Sequence, residues 1–396
     1  MAETPVTITL NGRPVTAAPG ELLIEAAERA GEYVPRFCYH PRMEPVGVCR
    51  MCLVEVDGPR GATLQPACYL RVSEGMNVVT DSDKVKKAQD GVLEFLLANH
   101  PLDCPVCDKG GECPLQDQTL AHGSGETRFI EEKRHFVKPI SIGELVLLDR
   151  ERCIQCSRCT RFASEVAGEA EIAFAGRGDQ IEVAPSPTRP FDSIFSGNTV
   201  QICPVGALTA EPYRFKARPW ELTKTDSIDV MDALGSAIRV DVRGREVMRI
   251  LPRVNENVNE EWISDKTRQV VDGLKRQRLD RPYIRKDGRL VPASWSEAFA
   301  TIAAKVKATT PARMGAIAGD LASVEDMFAL KSLMGNLGVA NIDCRQDGTK
   351  LDPAFGRGSY IFNPTVAGIE EADAILIVGS NPRKEAPVLN ARIRKR

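Results

Sequence analysis

The sequence predicts a multidomain α+β fold, on three observations. The chain opens with a strand, a tight turn, a second strand and an amphipathic helix. Eleven of its 12 cysteines fall between Cys38 and Cys203, where they punctuate loops rich in Pro and Gly. Beyond about Trp220 cysteine all but disappears, and β-hairpins give way to alternating helix and strand. A length of 396 residues suits two or three domains of roughly 150 residues each. Fifty-two Lys and Arg against 54 Asp and Glu leave a net charge of −2, which excludes a strongly basic nucleic-acid binder and an acidic disordered tail. With 43% hydrophobic residues the chain can fill sizeable cores, and no apolar run approaches the ~18 residues of a membrane span. Met1–Pro5 leads straight into a strand pattern, so no secretory leader is expected.

Val6–Leu10 alternates as a strand, Asn11-Gly12 is a strong two-residue hairpin signal, and Arg13–Ala17 supplies the return. Glu21–Ala30 reads as an amphipathic helix closed by Gly31. With short strands at Leu53–Val56 and Asn77–Thr80, this order fits a small half-open barrel, the β-grasp arrangement of plant-type ferredoxins. Asp81–Asn99 predicts a second helix, capped by Ser82 or Asp83, burying Val85, Val92, Phe95 and Leu96, and stopped by Pro101. Asp103–Gln118, dense in Cys, Pro and Gly, predicts a loop wrapped around a ligand, and Leu145–Asp149 is a short apolar run before the next cysteines. Pro185, Pro187 and Pro190 mark a further loop. Ile238–Val242 and Val247–Leu251 predict a hairpin turning near Gly244. Trp295–Lys307 and Ser323–Leu337 predict helices, and Met314–Ala318 and a buried Ala374–Gly379 predict strands, a βαβ rhythm.

Without a leader a reducing compartment is expected, and grouped thiols there point to metal ligands rather than disulfides. The first group is Cys38-x10-Cys49-x2-Cys52-x15-Cys68. Four thiolates suit a [2Fe–2S] cluster or structural zinc. The β-grasp context and the small residue Gly47, which lets backbone N–H groups approach the sulfurs, favour the cluster. The second group is His100-x3-Cys104-x2-Cys107-x5-Cys113. Its three thiols are one short of a four-ligand set. His100 either completes a [4Fe–4S] cluster or merely caps the preceding helix.

The third group is Cys153-x2-Cys156-x2-Cys159, followed far downstream by Cys203-Pro204. Two-cluster ferredoxins carry C-x2-C-x2-C-x3-C-P runs, the fourth Cys of each run serving the other cluster. Here the fourth position of the first run is Ala163, and counting back from Cys203 gives Ser193, Ser196 and Thr199. One ligand set survives, and the other is erased at all four of its positions. This predicts a ferredoxin-like fold with a single [4Fe–4S] cluster on Cys153, Cys156, Cys159 and Cys203. Three clusters need twelve ligands, and the three groups supply eleven Cys plus His100. Cys344 is left over and is expected to be a small core residue. Arg150, Arg152, Arg158 and Arg161 surround the third group and suit a solvated basic face, a tuning charge or an acidic partner.

In order and spacing these groups resemble the family of the large iron–sulfur subunit (the G, or 75-kDa, subunit) of the proton-pumping NADH:quinone oxidoreductase, respiratory complex I. The resemblance runs the length of the chain and is sharp again at Ser227-Ile228-Asp229-Val230. It implies a [2Fe–2S] domain at residues 1–80, a His/Cys-ligated [4Fe–4S] segment at 81–140, a ferredoxin-like [4Fe–4S] domain at 141–219 and a partial α/β molybdopterin-oxidoreductase-like domain at 220–396. Molybdopterin oxidoreductases often carry another cluster on C-x2-C-x3-C-x27-C. The residues at that spacing are Asp229, Asp232, Ser236 and Ser264, so no fourth cluster is expected. Because family members are considerably longer, a fragment or truncated product is expected.

The chain has no G-x-G-x-x-G fingerprint and no Walker loop, and its isolated Gly123-x-Gly125 and Gly176-x-Gly178 suit ordinary loops. No FMN and no molybdopterin are expected on it. By resemblance, a neighbouring FMN- and NADH-binding subunit supplies single electrons, and other peripheral-arm subunits carry them toward quinone. Membrane contact is then indirect, through a complex on the cytoplasmic side of a bacterial inner membrane or the matrix side of a mitochondrial one, and no nucleic acid is a partner. The rival readings are an iron-only hydrogenase or formate dehydrogenase sharing this front end, and a zinc-stapled scaffold. Against the first stand the erased cysteine set and a C-terminal half with only Cys344.

Overall fold

The computed structural model describes residues 4–344, 350 and 352–396. Strand β1 (Val6–Leu10) pairs antiparallel with β2 (Arg13–Ala17) through a two-residue turn. Asn11 and Gly12 both take positive φ there, 49° and 77°, the conformation a hairpin turn of this length requires. Helix α1 (Leu23–Arg29) is shorter than its periodicity suggests, because Leu22 is drawn into an extended bridge with Arg71. With β3 (Leu53–Val56), β4 (Thr63–Pro66) and β5 (Asn77–Val79) the sheet order is β2-β1-β5-β3-β4, β1 and β5 running parallel. Ile8, Ile24, Val54 and Val78 are fully buried between this sheet and α1, and Cys52 and Cys68 join the same core.

Helix α2 (Asp83–Ala98) starts at Ser82, whose Oγ accepts the Val85 N–H at 3.2 Å. Val85, Gln89 and Leu93 form its buried stripe, with Val92 and Leu96 at the margin. Phe95, expected inside, is 84% exposed. At 3.6 residues per turn it lies roughly 100° round from the centre of that stripe. Helix α3 (Pro114–His122) follows the second cysteine group. Strands β6 (Ile140–Ser141) and β7 (Val146–Leu148) precede the third. There a short helix, α4 (Arg158–Arg161), runs into a π-helical turn at Phe162–Ala167. The hairpin of β8 (Ile172–Ala175) and β9 (Glu182–Pro185) and helix α5 (Ser196–Ile202) lead to β10 (Leu208–Ala210), which completes a sheet of order β10-β7-β6. One core joins these units. It holds Leu93, Leu115, Leu148, Phe191, Val205 and Leu208, with Cys38, Cys113, Cys156 and Cys203 among them.

A three-stranded antiparallel meander follows: β11 (Thr223–Ile228), β12 (Ala237–Arg243) and β13 (Glu246–Pro252), the last turn passing through Gly244 at φ 62°. Helix α6 (Asp265–Gln269) packs on β13. The meander is tied to the earlier units by ion pairs. Arg42 meets Glu256 and Glu261, His40 meets Glu261 while stacking on Trp262, and Arg249 joins Glu112 to Asp241. Beyond a hairpin of β14 (Tyr283–Lys286) and β15 (Arg289–Pro292) come α7 (Trp295–Lys307) and a small βαβ unit. In it β16 (Ala316–Ile317) runs parallel to β17 (Ile342–Asp343) across α8 (Val324–Asn336). The stretch Ala374–Gly379, expected as a buried strand, forms none, and Leu376 and Val378 are 88% and 78% exposed. A parallel strand needs a hydrogen-bonded neighbour and a helix over each face, and among the described residues no strand lies beside this stretch. Cys344 is likewise exposed, just past β17, rather than in a core. Helices α9 (Pro382–Glu385) and α10 (Pro387–Lys395) close the described chain, α10 packing Val388 and Ala391 into a cluster with Phe162 and Trp262.

Candidate metal centres

In the first group Cys38, Cys52 and Cys68 are at most 1% exposed, and Cys49 is half-buried. The loop winds tightly because Gly47 and Arg50 both take positive φ, 60° and 59°, on either side of Cys49. The Cys38 N–H donates to Cys49 Sγ at 3.4 Å. Hydrogen bonding with Cys38 and burial push the Cys49 thiol up. At Cys68 the contact with Cys38 favours the thiolate, but Cys52 and burial outweigh it and push the thiol up to about 12. Thiols crowded in this way ionise fully only beside a positive centre such as iron.

In the second group Cys107 and Cys113 are buried, His100 is half-buried and Cys104 is exposed. All four line one cavity of about 270 Å³, closed by Leu115, Arg152 and Gly206. A Cβ on Gly206 would stand 2.1 Å from Cys107 Sγ, so this thiol points into its cavity only because residue 206 has no side chain. Burial first, then Arg152 and Lys133, hold His100 down at about 4. Its ring is neutral at ordinary pH, the form that binds metal. Two of the carbonyls at the end of α2 are met by another side chain. Lys133 Nζ donates to the α2 carbonyls of Leu97 and Ala98, 2.9 Å each.

In the third group Cys153, Cys156, Cys159 and Cys203 line a tight cavity of about 20 Å³ with Leu148, Val183 and Val205. Gln155 and Ser157, at φ 53° and 61°, alternate with the cysteines and turn the loop back on itself. The Gln155 N–H donates to Cys153 Sγ at 3.4 Å. Burial pushes Cys153 up to about 11 and raises Cys156 and Cys159 further.

The positions where cysteines are missing from the ferredoxin-type runs are buried, and the polar ones among them are hydrogen-bonded. Ser196 Oγ donates to Asp265 Oδ2 at 2.5 Å, and Thr199 Oγ1 donates to the Ser196 carbonyl at 2.6 Å. Ser193 and Ala163 are buried as well. At the molybdopterin-type spacing, Asp229 accepts from Thr267 Oγ1 at 2.6 Å, Thr267 meets Ser264 at 3.1 Å, and Asp232 accepts the Leu234 N–H at 3.0 Å. Small and polar side chains fill both places; among the described residues Ser236 Oγ is buried without a hydrogen-bond partner.

The groups adjoin in an order different from their sequence. Arg158 lies within electrostatic reach of Cys38, Cys156 and Cys203, and its guanidinium donates to the carbonyls of Tyr39 and Ile202 at 2.5 and 3.2 Å. Cys113 Sγ donates to the Pro204 carbonyl at 3.6 Å, one residue past Cys203. The third group therefore lies between the first and the second. The arginines do not make a solvated face. Arg152 and Arg161 are buried, Arg152 on Asp103 and Asp149 and Arg161 on the carbonyls of Cys38 and Glu44; Arg150 is half-buried on Glu182. Sequence reading missed Gly206 and Lys109, which act across the gap between the second and third groups. Among the described residues no three His, Cys, Asp or Glu side chains converge on the spacing of one metal ion. In the second and third groups they are ranged around a space.

A ferredoxin-type sheet, three thiol-lined sites and a following βαβ unit define the class, a multidomain iron–sulfur protein. Family models match along the whole order. A 2Fe-2S iron-sulfur cluster binding domain matches residues 3–83, and the NADH-ubiquinone oxidoreductase-G iron-sulfur binding region matches 89–128. The ferredoxin-like domain of NADH-quinone oxidoreductase subunit 3 matches 143–209, the NDSU1/NuoG-like 4Fe-4S domain 222–272 and molybdopterin oxidoreductase 278–396. The G subunit of the NADH-quinone oxidoreductase of Rickettsia conorii is 54% identical over 98% of this chain and 57% of its own length. The mitochondrial NADH-ubiquinone oxidoreductase 78 kDa subunit of Neurospora crassa is 50% identical over 98% of this chain and 53% of its own. A chain of an NAD+-reducing [NiFe]-hydrogenase in the H2-reduced state is 32% identical, with a TM-score of 0.47, over 54% of this chain and 90% of that one. The chain belongs to the family of the NADH-quinone oxidoreductase G subunit. It spans little more than half the length of these curated relatives. The segment matched by the 4Fe-4S model at 222–272 contains no cysteine.

Proposed function

We propose that this chain is an iron–sulfur electron-transfer subunit of an NADH:quinone oxidoreductase. It would take single electrons from a neighbouring FMN- and NADH-binding subunit and pass them toward quinone through other peripheral-arm subunits, in a complex that moves protons. It enters that enzyme as a subunit, with no NADH-oxidising site of its own and no FMN or molybdopterin. Its place is the peripheral arm, facing the bacterial cytoplasm or the mitochondrial matrix. No helix among the described residues is long and apolar enough to cross a membrane.

The working division is 1–80, 81–140, 141–219 and 220–396. Cys38, Cys49, Cys52 and Cys68 would hold a [2Fe–2S] cluster. His100, Cys104, Cys107 and Cys113 would hold one [4Fe–4S] cluster, and Cys153, Cys156, Cys159 and Cys203 another. Such clusters supply one-electron oxidation and reduction. The chain's own residues bury them, set their ligand charge and hold them close. The supporting observation is the contact of Cys113 with the carbonyl next to Cys203, which brings together two cysteine groups far apart in sequence. Asp229, Asp232, Ser236 and Ser264 would hold none.

Anaerobic iron and sulfide analysis with EPR tests the assignment. The expected content is about ten irons per chain, from one two-iron and two four-iron clusters. A stable content near fourteen would place a cluster on the Asp229 segment, and one near six would remove an assigned [4Fe–4S] site.

A further inference from the structure

Lys109 lies two residues past Cys107, half-buried at the seam between the second and third groups. Its Nζ donates to the carbonyls of Val200 and Gln201, 3.3 and 3.2 Å away, in the turn of α5 that delivers Cys203. The Cβ position of Gly206 is only 3.4 Å from Lys109 Cβ, so the lysine stem runs against the segment that walls both sites. Two carbonyls solvate an ammonium but do not neutralise it. The carboxylate that acts on it electrostatically, Glu112, is engaged by both Nη atoms of Arg249 at 2.7 and 2.8 Å. Among the described residues no carboxylate forms an ion pair with Lys109. Also in its electrostatic reach are the sulfurs of Cys203 on one side and Cys113 on the other.

An ammonium withdrawn from water without a counter-ion is costly. An occupant of negative charge at both thiol groups would offset that cost. A reduced cluster is one charge more negative than an oxidised one, so a nearby cation favours reduction. We propose that Lys109 is a fixed cation shared by the second and third cluster sites, a positioning residue that raises both their reduction potentials. This rests on the assignment of clusters to those two groups. The first group has its own neighbouring cation, Arg158.

The test is an EPR-monitored redox titration of the anaerobically loaded full chain, wild type against Lys109→Gln, Lys109→Met and Lys109→Arg. The second cluster's signal is identified by its shift in His100→Cys. Gln keeps a donor for the Val200 and Gln201 carbonyls and removes only the charge. In the Gln and Met variants both [4Fe–4S] midpoints shift downward while the [2Fe–2S] midpoint stays. In Lys109→Arg both stay near wild type. Unchanged midpoints in Lys109→Gln, movement of only one of them, or loss of either cluster in Gln and Met alike would overturn the proposal. Wild-type iron content and signals report on the cluster assignment separately, so failure of that reading is distinguishable from failure of this one.

Discussion

Replacing Gly206 by Ala adds one methyl group where the structure has no room for it. The new Cβ would stand 2.1 Å from Cys107 Sγ, with Lys109 Cβ at 3.4 Å and the Arg152 Cδ at 3.7 Å behind it. Non-bonded carbon atoms settle about 3.5–4.0 Å apart, so the sulfur must retreat by roughly 1.5 Å. In the metal-free chain that is a rotation of one side chain, and overpacking of this kind costs about 1–3 kcal/mol. For a ligand the same displacement is decisive, because metal–ligand distances hold to within ~0.2 Å. Gly206→Ala should therefore fold, lose about 1–3 kcal/mol in urea and lose the second cluster selectively. Its iron content should fall from about ten toward about six per chain, with the [2Fe–2S] and third-group signals intact. Gly91→Ala is the control, because its Cβ would meet nothing within 4 Å. A Gly206→Ala protein that keeps about ten irons and an unshifted second signal would refute the reasoning.

Two further changes address other parts of the molecule. His100→Cys should keep a [4Fe–4S] cluster at a lower potential, because a thiolate adds one negative charge, and His100→Ala should leave an open iron prone to loss; equal midpoints in wild type and His100→Cys would make the histidine a bystander. Asp241, fully buried, binds Arg239 and Arg249 at 2.7 and 2.8 Å, and Asp241→Ala should cost about 1.5–3 kcal/mol in urea unfolding by removing the charged hydrogen bonds to half-buried Arg239 and Arg249, the latter keeping Glu112. Burial works against its carboxylate, but the hydrogen bonds from Arg239 and Arg249 prevail and hold it below its ordinary value. The stabilisation is then fully present above the unfolded value of about 3.9 and lost as pH falls through the lower folded one. Wild type should lose stability below about pH 4 more steeply than the variant, and parallel pH profiles would count against the pair.

Local chemistry made much of the fold legible. Asn11-Gly12 announces its turn because both residues tolerate positive φ, and Ser82, Ser294 and Ser323 cap their helices as short hydroxyl side chains do. Phe95 and Ala374–Gly379 were misread for a shared reason. Apolar character says that a residue can be buried, and only the surrounding elements decide whether it is. The grouping of the cysteines is visible in their spacing. Gly206 and Lys109 are not, because each acts on a partner roughly a hundred residues away. Nothing in Pro204-Val205-Gly206-Ala207 distinguishes its glycine from a turn residue.

The turn Cys203–Gly206 belongs to two sites at once, giving a thiol to one cavity and a wall to the other. This imposes a timetable on biosynthesis. The residues of the second group, His100 to Cys113, emerge from the ribosome well before that turn exists. At ~5–20 residues per second the interval is roughly 5–20 s. Throughout it Cys107 and Cys113 lack the wall that Gly206 supplies in the folded chain. Docking of the turn adds the Gly206 wall to one cavity and the Cys203 thiol to the other in the same folding event.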